Sequence, residues 1–131
     1  METLYDANNA TLTFDDKNEI LIGTWDGFIS ENDFIDILNK ALLIIKERKA
    51  RFWIADNRKL KVFTKAVQDY IASEWVPRAL QAGVKKLAVI TSENVFAKQS
   101  EKATLDKLKK TPDFIGTFQS IEDAKEWFTR N

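Results

Sequence analysis

Two short apolar runs constrain this chain more than anything else in it. Phe52, Trp53, Ile54 and Ala55 follow Arg51, and Leu87, Ala88, Val89 and Ile90 follow Lys86. A run that is apolar at every position, rather than at every second one, suits a strand covered on both faces. Around these runs lie longer stretches in which apolar residues recur three and four apart, the period of an amphipathic helix. Buried strands separated by helices imply parallel crossover connections, so the sequence predicts an α/β fold.

The remaining elements fit around those two strands. Residues 10–14 alternate apolar and polar, residues 19–25 are rich in β-formers, and Asp15, Asp16, Lys17 and Asn18 make a polar turn between them, an opening hairpin. Gly23, inside the second of these strands, marks a bulge or a close backbone approach. Ser30 then starts the clearest helix: its hydroxyl suits the N–H of Asp33, Asp33 completes a capping box, and Ile29 is placed to staple onto Phe34. Phe34, Ile37, Leu38, Ala41, Leu42 and Ile45 form its apolar stripe.

A second helix is expected over residues 64–82, with Val67, Ile71, Trp75 and Ala79 four apart and Gly83 ending it in a left-handed conformation. Pro77 lacks an N–H and clashes with the carbonyl of Ser73, which predicts a kink or a junction of two helices at residues 73–77. Residues 86–91 form the other buried strand, 95–110 a surface helix and 114–118 the last strand. Ser120 with Asp123 caps a final helix, docked by Ile121, Ala124, Trp127 and Phe128. The expected order is β-β-α-β-α-β-α-β-α, a mixed sheet of about five strands in a single domain, residues 1–131.

Composition narrows the chemistry. With 131 residues, 44% hydrophobic and 31% charged, one globular core is expected. The chain has no Cys and no His, which removes disulfides, thiolate and imidazole catalysis and His/Cys zinc sites. Its four Gly include no phosphate-cradling loop and no dinucleotide fingerprint, so no cofactor and no metal is expected. Residues 1–10 lack a signal-peptide pattern and no window approaches the ~18 apolar residues of a membrane span, so a cytoplasmic location is expected.

Charge is balanced in total but not along the chain. Residues 1–36 carry nine carboxylates against Lys17, a net of −8 (one minus nine), and the remainder carries +8. Either the two parts face each other in the fold or one of them forms a charged docking surface. No concentrated basic face points to nucleic acid. Lys98, Lys102, Lys107, Lys109 and Lys110, mixed with Glu101 and Asp106, read as a solvated helix face.

In open α/β sheets ligands usually bind beyond the carboxyl ends of the strands, where strand order reverses. That rule directs attention to Asp56, Asn57 and Arg58, read as the start of a loop after a strand at residues 51–55, with Lys59 and Lys61 nearby and a helix N-terminus following. The plainer reading is a solvated connection in which Asp56 and Asn57 bond to adjacent backbone. Glu74, Trp75 and Arg78 lie at the expected kink. Glu74 and Arg78, four apart, pair locally in the plainer reading and line a cleft with Asp56 in the functional one. Trp25, Trp53, Trp75 and Trp127 all sit in apolar patterns and read first as core or subunit-interface residues.

The hairpin, the Asp56-Asn57-Arg58 exit, the stretch from Glu74 to Leu80 and the run Lys86, Leu87, Ala88, Val89 together resemble the STAS-like (SpoIIAA-like, anti-sigma-factor antagonist-like) family, in its uncharacterised bacterial branch. The resemblance spans nearly the whole chain through element order and short motifs. It implies a mixed sheet with helices mainly on one side. It also implies a switch by phosphorylation of a serine after an Asp at a central strand end, but here that position is Asn57, which accepts no phosphoryl group, and Thr64 is only a distant substitute.

Two functions follow as expectations. The first is a non-enzymatic interaction or regulatory module with a protein partner, recognised through Asp56, Asn57, Arg58, Glu74, Trp75 and Arg78, and with a homodimer unsurprising given the aromatic content. The alternative is a carrier of a small ligand, an anion or a lipid. An enzyme ranks third, with Asp56 and Glu74 as its only candidates.

Overall fold

The computed structural model of the chain describes residues 1–7, 9–108 and 112–130. Six strands form one sheet: β1 (Glu2–Ala7), β2 (Ala10–Asp15), β3 (Ile20–Gly27), β4 (Phe52–Leu60), β5 (Lys86–Ile90) and β6 (Ile115–Phe118). They lie in the order of the sequence, β1-β2-β3-β4-β5-β6. The first three are antiparallel, and β3 to β6 are parallel. The α/β class and the mixed sheet are as the sequence indicated, but the expected five strands are six, and the expected β-β start is β-β-β. The addition is β1, an edge strand whose Glu2, Thr3, Asp6 and Ala7 are exposed, while Leu4 and Tyr5 reach the core. Charge on a half-solvated edge masks the strand pattern.

The second correction concerns β4. Its pairing with β3 continues past a register shift between Thr24 and Asp26, so that Asp26 faces Lys59 and Gly27 faces Leu60. The polar residues expected to begin a loop at Asp56 therefore lie inside a nine-residue strand.

The helices follow their caps. Asp33 N–H donates to Ser30 Oγ (3.2 Å) at the start of α1 (Glu31–Arg48), and Val67 N–H to Thr64 Oγ1 (3.3 Å) at the start of α2 (Lys65–Tyr70). Phe96 and Ala97 N–H donate to Asn94 Oδ1 for α4 (Val95–Asp106), and Asp123 N–H to Ser120 Oγ for α5 (Ile121–Phe128). Of the expected helix 95–110, the part to Asp106 is α4, and Lys109 and Lys110 lie outside the described residues.

Pro77 breaks its helix in a specific way. Between α2 and α3 (Val76–Gln81) runs a π-helical segment, Ile71–Trp75, in which Val76 N–H reaches back to Ile71 O. The wider turn absorbs one extra residue just before the proline, and π-bulges of this kind are frequent at functional sites.

Helices α1 to α4 cover one face of the sheet around Leu21, Trp25, Phe34, Ile37, Trp53 and Trp75. On the other face, among the described residues, α5 alone packs Ala124 and Phe128 on Ile20, Ile22, Ile54, Ala88 and Ile90. The separated charges also meet: Glu2 pairs with Arg48 (3.0 Å), Glu19 with Arg51 (3.7 Å) and Asp15 with Lys125 (3.6 Å). Among the described residues no helix is long and apolar enough to cross a membrane.

Candidate functional site

Strand order decides where a site can form. Because the parallel strands β3 to β6 are laid down in sequence order with all their crossover helices on one face, the sheet has no point at which its order reverses. The crevice that such a reversal opens beyond the strand ends is therefore missing, and the rule that pointed to Asp56, Asn57 and Arg58 does not apply here.

Those residues instead divide between the two faces. Strand alternation puts Asp56 with Ile54 on the α5 face, and Asn57 with Trp53 and Ala55 on the other. Asp56 is buried, and Arg58 closes on it as a fork, with Nε on Oδ1 at 2.9 Å and Nη2 on Oδ2 at 2.7 Å. The bond to Asp56 holds the Arg58 guanidinium above its ordinary pKa against the opposing effect of burial. Glu74 and Arg78 form an exposed i,i+4 ion pair at 2.9 Å on the helical layer. Trp75 is 1% exposed, donates from Nε1 to Leu38 O at 2.6 Å and packs against Trp53 with ring centroids 4.8 Å apart. The six residues do not share one surface.

What the fold builds instead is a cavity of ≈ 80 Å³ between the sheet and its four-helix layer. One water needs roughly 10–15 Å³ by this measure, so the space exceeds that of a single water several-fold. Trp25, Trp53, Ala55 and Leu87 form its floor on the sheet, Phe34 and Leu38 of α1 and Ile71 and Trp75 of the π segment form its roof, and Leu105 and Leu108 close one side. Its lining is overwhelmingly apolar. Of the lining residues, Ala55, Ile71, Val89, Leu105, Leu108 and Ile115 are half-buried.

One polar cluster borders this space. Glu101 on α4 is 6% exposed and lines the cavity together with Asn57 and Thr104. Its Oε2 accepts from Asn57 Nδ2 (3.0 Å) and Ser92 N–H (3.0 Å), and its Oε1 from Thr91 Oγ1 (2.8 Å). Ser92 in turn donates to Leu60 O at 2.9 Å, so the carboxylate ties α4 to the ends of β4 and β5. The sequence reading placed Glu101 on a solvated face, but it belongs to the stripe Ala97, Glu101, Leu105 and Leu108, whose spacings of four, four and three signal an inward position. Among the described residues no group of Asp and Glu side chains is arranged to hold a metal ion.

No protein-family model matches the chain, and no curated protein matches it.

Proposed function

We propose that this domain is a small-ligand carrier that takes an apolar molecule into the cavity beneath α1, the π segment and α4. The observation that carries this reading is the apolar space itself, bounded by Trp25, Trp53 and Trp75 and large enough for more than water. A lining of large apolar side chains with a few placed polar groups is the usual make-up of a small-molecule site. The irregular π turn that forms part of the roof supports the same reading. Of the two ligand classes expected for a carrier, the lining favours an apolar body over an anion, because among the described residues its charged group is the carboxylate of Glu101. Native mass spectrometry of protein purified from its host tests this: a co-purified small molecule is expected, and Val89→Phe, which fills part of the space, is expected to lose it. Bare wild-type protein whose tryptophan fluorescence no apolar probe alters would overturn the reading.

A second reading, a protein-interaction module, is favoured by a different feature. Phe28, Val62, Val95 and Phe96 are all exposed, and they follow β3, β4 and β5 at the same end of the sheet. Lys61 N–H bonds Gly27 O at 3.0 Å, which sets the first two of these segments side by side. Loss of a host protein's capture in the Phe28→Ser, Phe96→Ser double variant would support this reading, and unchanged capture would count against it. The STAS-like resemblance stands as a proposal beside both, supported by a mixed sheet with most helices on one face. Any regulation would not use Asn57, whose amide is engaged with Glu101.

A further inference from the structure

We infer that the ligand of this cavity is an organic cation, an apolar body carrying a protonated amine, with Glu101 as its anchor; this rests on the cavity being a ligand site.

The argument begins with an unbalanced charge. Glu101 is buried, yet among the described residues no Lys or Arg is ion-paired with it. A buried carboxylate is costly unless it is paired or well bonded. Its three donors, the Asn57 amide, the Ser92 N–H and the Thr91 hydroxyl, are all neutral. They hold the carboxylate in place without cancelling its charge. A carboxylate has about four acceptor positions, so these bonds leave one on Oε1 for a further donor.

The surroundings select what that donor is attached to. Glu101 lines an apolar space together with Trp25, Trp53, Trp75, Phe34 and Phe63. Aromatic faces attract cations through the ring quadrupole, most strongly where water is excluded, and indole is the best of them. Among the described lining residues an anion would meet the Glu101 charge and no cationic side chain, while a neutral hydrocarbon would leave the fourth acceptor position unused. A small alkyl or aryl ammonium satisfies both halves of the site, with its N–H on Oε1 and its body among the rings.

A series of three ligands of similar size tests this on the wild-type protein by calorimetry and tryptophan fluorescence at neutral pH: benzylamine, which is protonated there, benzyl alcohol and ethylbenzene. Benzylamine is expected to bind about tenfold or more tighter than ethylbenzene, in keeping with a hydrogen bond to a charged group, with benzyl alcohol between them. Glu101→Gln keeps the side-chain shape and is expected to remove that preference while ethylbenzene still binds. Equal binding of benzylamine and ethylbenzene to wild type overturns the cation assignment and leaves the apolar carrier standing. Binding of none of the three overturns both. The wild-type series decides the matter even if the Glu101 variant does not fold.

Discussion

The Asn57 amide donates to the Glu101 carboxylate across 3.0 Å, joining the middle of a central strand to a helix forty-four residues further on. Both side chains are buried, and both border the apolar cavity. Asn57→Ala removes one of three donors from a buried carboxylate and is expected to destabilise the fold by about 1–3 kcal/mol. Urea denaturation followed by tryptophan fluorescence measures it. A loss within error of zero would mean that water replaces the amide without cost.

Gly23 lies under the indole of Trp53. A Cβ at this position would sit 2.5 Å from Trp53 Cη2 and 3.1 Å from Cζ2, and that ring is itself packed against Trp75. Gly23→Ala must push the indole toward the cavity, and overpacking of this kind costs roughly 1–3 kcal/mol. The near-ultraviolet dichroism of the tryptophans is expected to change with it.

Lys49 ends α1 in the left-handed region, with φ 57° and ψ 47°, while its N–H bonds Ile45 O. A side chain is strained in this conformation and glycine is not. Lys49→Gly is therefore expected to stabilise the protein by about 0.5–1 kcal/mol, read as a higher denaturation midpoint.

Asp15 gives the fold part of its acid sensitivity. Burial pushes its carboxyl up, but the Asn18 side chain and N–H, together with Lys125, outweigh burial and hold it below the ordinary value. A carboxylate lowered on folding stabilises the native state above the unfolded value, about pH 3.9, and this stabilisation is lost as pH falls through the lower folded value. Asp15→Asn is expected to flatten the stability profile below about pH 4 and to leave its shape near neutrality unchanged.

The sequence made the architecture legible wherever one local rule acted alone. Ser30, Thr64 and Ser120 each mark a helix start by the hydroxyl that accepts there. Gly23 pointed to a bulge or a close backbone approach, whereas the group packed on it is the Trp53 side chain. The spacing of four that joins Val67, Ile71, Trp75 and Ala79 slips by about 40° per step on a helix of 3.6 residues per turn, and the π segment takes up that slip. The site was less legible because it depends on which strands are neighbours. Asp56 and Asn57 read as a loop because polar residues rarely lie inside a sheet, and they lie there only because Arg58 satisfies one and Glu101 holds the other. Glu101 itself was hidden by the lysines around it, although its helical spacing placed it inward.

The sequential strand order also bears on how the chain is made. Each strand after the first pairs with the one synthesised just before it, so a nascent chain can extend the sheet without waiting for a distant segment. The opposite face follows a different schedule. Ile20, Ile22, Ile54, Ala88 and Ile90 have no cover until residues 121–128 arrive, the last element in the order. A chain halted before that point carries a bare aliphatic stripe, and exposed apolar surface of this kind makes a nascent chain prone to aggregation.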